Sequence, residues 1–440
     1  MTGWGRGVRR ALRPVDPRSA AVFRIGFGLG GLLLVWRFFA KGWVSSLFVE
    51  PTYHFPYPGF EWVKVWPAWG MYAHFALIGL AAVGILLGYR TRICVAAFAV
   101  LLGYVELIDR TLYLNHYYWL ILTAAVLAVL PVDRAYSVGS RRRQGEAGVG
   151  WIPVWVVWLL RFQVGMVYFF AGLAKINSDW LLHGEPLATW LPARADLPVI
   201  GPLLAVPATA LVASWMGAVF DLSIVFWLCY RRTRLVAFVV VAAFHTFTWV
   251  LFPSIGLFPL LMTLSALIFF EPDWPGRFIP EPQKVEVEPK PRFRIRGVWI
   301  GVTVLYLALM VMVPLRHYLI PGDVKWTGEG YLGSWQVMLS EKSGSATFLV
   351  TDADTEDTWR VPPPSYLTAR QQVVMATDPV MIKQTADLIA NDLGDVEVVA
   401  DVVLSFNGRP SIQFTDPVVD LTVVSLGEPA RHWLTPSPVD

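Results

Sequence analysis

The residues of this chain that could do chemistry stand where ionisable groups are expensive. Arg24, Arg37, Glu106, Asp109, His116, Arg161, Lys175, Asp221 and His245 lie in or beside long apolar runs. An ionisable residue at membrane depth marks a functional position by default. The stretch Tyr168-Phe-Phe-Ala-Gly-Leu-Ala-Lys175-Ile-Asn-Ser-Asp-Trp180 puts small residues ahead of its lysine, which lets helices pack closely there. An amine packed among apolar neighbours loses hydration, and only a neutral amine can accept a proton. Asp109, Asn115 and His116 fall in a tight turn between two apolar runs, and His245 falls within another. Each has a plainer reading alone. Lys175 can snorkel to headgroups, His116 can cap a turn, and His245 can be a satisfied core histidine. Asp221 and Arg161 are expected to pair with other groups inside the membrane. No HExxH, no cysteine cluster and no short histidine spacing supports a metal site. Neither GxGxxG nor a Walker motif is present, and G-x-S-x-G is absent as well.

The elements that must position these groups follow from composition. The 440 residues are 55% hydrophobic and only 16% charged, against about 25% charged in an ordinary soluble domain. Disordered, fibrous and soluble enzyme classes are excluded. A net charge of +3 gives no support for nucleic acid as a partner. Cys94 and Cys229 sit inside apolar runs and read as small core residues. Nine runs read as membrane spans: 21–40, 71–89, 93–108, 115–132, 152–174, 207–229, 235–252, 254–270 and 297–315. The third and ninth are the weakest by length and continuity. The basic N-terminus leads into a full span without a cleavage site, so no cleavable signal peptide is expected.

Lys and Arg set the orientation. With the N-terminus cytoplasmic, the inner segments hold 20 of them and the outer loops five: Lys41, Lys64, Arg110, Lys175 and Arg194. Nine crossings then put the C-terminus outside. Asp109, Asn115, His116, Lys175 and His245 gather toward that same outer face. Beyond about residue 316 the pattern changes to alternating apolar runs (346–351, 396–404, 418–426) with one amphipathic helix at about 378–393. The expected architecture is therefore a multi-span α-helical membrane protein of about nine transmembrane helices, residues 1–315, with a C-terminal β-rich outer-face domain, 316–440. Segment 273–296 reads as a cytoplasmic loop.

Several segments, in order, resemble the vitamin K-dependent γ-glutamyl carboxylase family and its bacterial relatives, the HTTM proteins. They are Phe23-Arg-Ile-Gly-Phe, Tyr57-Pro-Gly-Phe-Glu-Trp, Asp109 with Tyr113-Leu-Asn-His-Tyr-Tyr118, and Ala171-Gly-Leu-Ala-Lys-Ile-Asn-Ser-Asp-Trp180. Asp221 with Arg231-Arg-Thr-Arg234 follows, and then Phe244-His245 with Phe252-Pro-Ser-Ile-Gly-Leu-Phe-Pro259. The resemblance continues through Tyr331-Leu-Gly-Ser-Trp-Gln-Val-Met338, Met381-Ile-Lys-Gln-Thr-Ala and Phe414-Thr-Asp-Pro-Val-Val-Asp420. This chain departs from the animal enzyme in its shorter C-terminal part, which leaves recognition of a carboxylase-type propeptide unsupported. It also has Ala174 where the animal family has a second lysine.

In that family a reduced vitamin K hydroquinone is oxidised by O2 to its epoxide. The reaction supplies a strong base that removes a proton from Cγ of a glutamate, and CO2 adds to the carbanion. The resemblance implies Lys175 as the base toward the hydroquinone, with His116 and Asn115 bonding its oxygen. It implies Tyr331, His245, Trp335, Tyr117 and Asp109 as a quinone and substrate pocket. Reduced vitamin K or menaquinol, O2 and CO2 would be the cofactors, with no metal. A glutamate-containing peptide or protein, the lipid bilayer and a quinone reductase for recycling would be the partners, without nucleic acid. The location would be a cell membrane, or an ER membrane with the C-terminal domain in the lumen. Two other readings stay open. One is an HTTM protein using a quinone site for another redox reaction. The other is a non-enzymatic partner in secreted-peptide maturation, which would be expected to spread polar residues through the span midplanes.

Overall fold

The computed structural model describes residues 3–142, 150–279 and 297–439. Arg143 and segment 280–296, which the sequence assigns to inner loops, lie outside the described residues. Among those described, nine apolar helices follow in order: α1 (Arg18–Ala40), α2 (Ala68–Leu87), α3 (Thr91–Ile108), α4 (Asn115–Val129), α5 (Val154–Ala174), α6 (Pro207–Cys229), α7 (Arg234–Leu251), α8 (Phe258–Ala266) and α9 (Gly297–Leu315). Seven are long and apolar enough to cross a membrane. The third and ninth are among these. The short ones are α4 with 15 residues and α8 with 9, the latter prolonged by a 3-10 turn to Phe269. Leu130 turns extended and ends α4 early. Pro253 to Ile255 form a separate 3-10 turn, and Gly256 at φ 74 breaks the run before α8 begins. Apolar residues therefore continue through both runs while the backbone does not.

Several of the expensive cations close helix ends. The buried Arg24 guanidinium donates to the carbonyls of Leu86 (2.9 Å), Tyr136 and Val132, so α2's terminal acceptors are satisfied without water. Arg161 does the same for the end of α8, donating to Ile268, Phe269 and Phe270. Neither finds an intramembrane carboxylate. The helices pack as α1 on α2 and α8, α3 on α4, and α5 on α6. The last contact is very close. A Cβ placed at Gly172 would lie 2.7 Å from Leu222 N, so only glycine admits this approach.

The C-terminal region forms a four-stranded antiparallel sheet in the order β2-β1-β3-β4. The strands are β1 (Lys342–Asp352), β2 (Thr358–Val361), β3 (Val396–Phe406) and β4 (Ile412–Gln413). Along β3 the period-two pattern turns Val396, Val398, Ala400, Val402, Leu404 and Phe406 inward. They meet α11 (Pro379–Leu393), which follows the short α10 (Ala369–Met375). Asp378 caps α11 by accepting from Val380 N and Met381 N. The expected strand at 418–426 is not one. Asp416 and Asp420 accept from nearby backbone N–H groups, a single bridge joins Asp420 to Val399, and Val418 and Val423 stay exposed. Local side-chain caps compete here with ladder pairing.

The two parts share a polar seam. Phe55, from the loop after α1, is fully buried in the C-terminal core. Gln371 donates to Tyr53 O (2.7 Å) and to Asp109 Oδ2 (3.2 Å), and Arg110 pairs with Asp378 at 3.0 Å. Asp179, just beyond α5, accepts from Asn407 Nδ2 (2.7 Å) and from the Arg409 guanidinium.

Candidate functional site

The turn before α4 builds one wall of a cavity of about 560 Å³. Leu114, Asn115 and His116 line it from α4. Leu251, Phe252 to Ile255 and Phe258 line it from the α7–α8 connection, with Trp190, Ala193 and Arg194 beside them. Tyr331, Val337 and Met338 close it from the C-terminal region. Most of this lining is apolar. The polar groups are Asn115, His116, Ser254, Arg194 and Tyr331, with no carboxylate.

The Tyr331–Met338 segment is clamped onto the membrane part. Tyr331 lines the cavity together with Asn115, and its ring stands edge-on to Tyr113 with centroids 6.0 Å apart. Tyr113 donates to Asn115 Oδ1 (3.2 Å), and its hydroxyl accepts from Gly333 N (2.9 Å). Gly333 adopts φ 72 with Tyr118 directly beneath it, where a Cβ would stand 3.2 Å from the Tyr118 hydroxyl. Trp335 and Met338 both take left-handed φ values, 57 and 53, which are uncommon outside glycine. Burial of Trp335 against Tyr118, with ring centroids 5.3 Å apart, holds that geometry.

Tyr331 also lines a second cleft, of about 470 Å³, on the side of the C-terminal domain. Arg110, Arg316, Lys383 and Arg431 line it together with Glu329, Asp378 and Glu428. Tyr331 is 39% exposed and faces both spaces. It borders both the apolar cavity at the bundle end and the charged cleft.

Lys175 lies outside the cavity lining. It caps the C-terminus of α5, where Nζ donates to Asp221 Oδ2 at 2.9 Å and to Ala171 O at 3.2 Å. Both side chains are over nine-tenths buried, and the Trp180 ring lies 4.9 Å from Nζ. The lysine is therefore not a lone amine among apolar neighbours. The two side chains form a buried ion pair between α5 and α6. Next to it, Tyr168 hydroxyl and His245 Nε2 are 2.7 Å apart. His245 Nδ1 is buried without a partner. His245 and His116 flank the same ring, Phe258, at 6.1 and 6.3 Å. Phe220, beside Asp221 on α6, contacts both Tyr168 and His245. A packed file of Lys175, Asp221, Tyr168 and His245 thus backs onto the cavity wall.

The remaining expected pocket residues stand elsewhere, for physical reasons. Tyr117 points into the bundle core against Phe38. Trp335 anchors its own turn in that core. Asp109 accepts from Thr111 N (2.8 Å) and Gln371, so it fastens the seam. Burial raises its carboxyl above the usual range, and burial likewise lowers the neighbouring His54. Sequence reading missed Arg194, which served only as an outer-loop cation in the charge count; loop position gave no sign of its contact with the cavity. It also missed Asp179 and Arg409, partners separated by 230 residues. Among the described residues, no three His, Cys, Asp or Glu side chains are grouped to hold a metal ion.

Residues 12–274 match the HTTM domain, and residues 296–439 match the lumenal domain of vitamin K-dependent gamma-carboxylase. No solved structure matches the chain.

Proposed function

Because this chain belongs to the HTTM domain family and carries a vitamin K-dependent gamma-carboxylase lumenal domain, we propose that it carboxylates glutamate in a peptide or protein at the expense of a reduced quinone. The observation that carries this reading is Tyr331, shared between cavity and cleft. A lipid-borne reductant and a water-borne peptide must meet at one place, and Tyr331 lines both spaces.

The cavity fits a hydroquinone. Its size lies within the range of about 300–1,000 Å³ for small-molecule sites, and it combines apolar walls with a few convergent polar groups. Phe252, Phe258 and Met338 would hold the ring, and Asn115 and His116 would bond an oxygen. When bound with O2, the hydroquinone supplies the strong base needed at Cγ of glutamate. The protein's part is to take a proton, orient the two partners and keep water out. His116 accepts a hydrogen bond in its neutral form. The Lys175–Asp221 pair is the terminal proton acceptor, reached through His245 Nε2 and the Tyr168 hydroxyl. The cleft above Tyr331 receives the peptide.

In this reading residues 1–315 form the catalytic membrane domain, and the C-terminal domain, 316–440, faces away from the cytoplasm. The excess of Lys and Arg on the opposite side supports that orientation. Purified protein supplied with phylloquinol, O2, a glutamate peptide and 14C-bicarbonate is the test. The expectation is quinone epoxide together with labelled peptide; epoxide without label would replace carboxylation with another redox reaction.

A further inference from the structure

Arg194 is the one cation in the cavity lining, and no carboxylate lines that cavity. It closes a 3-10 turn, Pro192–Arg194, that follows the short helix Leu187–Trp190. Its Nη2 makes only a long 3.4 Å bond, to Val250 O, and its Nε is buried with no acceptor. Every other guanidinium described above as buried in the bundle is satisfied. Arg24 reaches four carbonyls and Arg161 three, and the buried lysine has Asp221. A buried donor on a charged group costs free energy when it lacks a partner. Arg194 carries that cost beside Asn115, His116 and Tyr331, at the wall of an otherwise apolar space.

We propose that Arg194 is the anion-holding group of this cavity, taking one anionic oxygen of an amphipathic ligand. Two ligands share that chemistry, a quinolate and the side-chain carboxylate of a glutamate. The choice of these two rests on the carboxylase reading, while the anion site itself rests on the guanidinium and the cavity. A guanidinium suits the task because it stays charged at any working pH and presents several donors in a fixed plane. A neutral ring offers only carbonyl oxygens and gains less from it than an anionic oxygen does.

The test uses full-length protein in phosphatidylcholine nanodiscs and two probes of nearly the same shape. One is 2-hydroxy-1,4-naphthoquinone, ionised near neutral pH; the other is neutral 2-methoxy-1,4-naphthoquinone. Wild type should favour the anion about tenfold or more, the scale of a charge-assisted hydrogen bond. Arg194→Gln should abolish that preference and change the neutral probe's affinity far less than the anion's. Arg194→Lys, which keeps the charge, should retain part of it and guards against a folding defect. A glutamate pentapeptide and its glutamine counterpart are then added as competitors. Displacement of the anion by the glutamate form alone, lost in Arg194→Gln, assigns the site to the carboxylate. Failure of both peptides to compete, with the probe preference intact, assigns it to the quinolate. Equal probe preference in wild type and Arg194→Gln, or none in wild type, overturns the proposal. Probe preference without any turnover would sink the carboxylase reading and leave the anion site standing.

Discussion

Lys175 Nζ and Asp221 Oδ2 lie 2.9 Å apart, buried on both sides, where α5 and α6 touch through Gly172. The glycine, the lysine and the carboxylate depend on each other. Without the close approach at Gly172 the two charged groups would not meet, and without the pair neither charge would be tolerable there.

Removing one partner should therefore be worse than removing both. Asp221→Ala leaves the amine without its carboxylate and should destabilise the protein by about 3–5 kcal/mol. The double replacement Lys175→Met with Asp221→Leu should regain much of that stability while staying inactive. Thermal unfolding in detergent and quinone epoxide assays measure the two properties separately. Equal stability of the single and double variants would refute the coupling.

Tyr331 should control how oxidation and carboxylation are shared. Tyr331→Phe keeps the wall but loses the hydroxyl beside Asn115, and should lower kcat/KM about tenfold. Tyr331→Ala opens the cavity to the cleft, so epoxide formed per carboxylated glutamate should rise. Chromatographic epoxide yield against 14C incorporation gives the ratio. A ratio unchanged in Tyr331→Ala would mean that Tyr331 is not the partition.

The Asp179 contact with Asn407 and Arg409 should fail in acid. Burial alone would raise the Asp179 carboxyl, but bonds from Arg409 and Asn407 outweigh it and hold Asp179 below its ordinary 3.8. Its contribution is present above that value and is lost as pH falls through the lower folded one. Asp179→Asn should cost about 1.5–3 kcal/mol at neutral pH and flatten the acid limb of the stability curve. Limited proteolysis of the C-terminal domain across pH reports the loss; parallel curves for both proteins would refute it.

His54 adds a second acid-sensitive point at the seam, between Asp109 and Lys64. Burial holds its imidazole below the ordinary 6.5, against the pull of Asp109. The folded protein resists a proton that the unfolded chain accepts. His54's contribution is thus intact above 6.5 and declines as pH falls, by at most about 1.4 kcal/mol per pH unit. His54→Gln should reduce that slope, measured by denaturant unfolding from neutral pH downward. An unchanged slope would remove His54 from the account.

Much of the architecture could be read from residue order because apolar length is a local signal. Each of the nine apolar helices overlaps one run marked in the sequence, and α1, α2, α3 and α7 begin one to three residues ahead of theirs. Their ends were less readable. Hydropathy continues through Leu130 and through Phe252–Leu257 while Pro253, Gly256 and the extended Leu130 break the backbone. The strand expected at 418–426 failed for a similar reason, since Asp416 and Asp420 satisfy the local backbone themselves. At the site, the Asn115–His116 turn and Tyr331 were recognisable as motifs, and the structure brings them to one cavity. The partner of Lys175 was not, because Asp221 stands on another helix and only packing at Gly172 joins them. Arg194 looked like one more loop charge, as nothing in its neighbours' types reveals a missing acceptor.

The central claim is that the buried Lys175–Asp221 pair takes the proton that starts quinone oxidation. The most direct measurement is epoxide formation by purified Lys175→Ala supplied with phylloquinol and O2, with folding checked by its unfolding temperature. The account predicts loss of epoxide by a factor of roughly a hundred or more, in the range of general-base catalysis, in a protein that still binds the neutral quinone. Epoxide at the wild-type rate would contradict it.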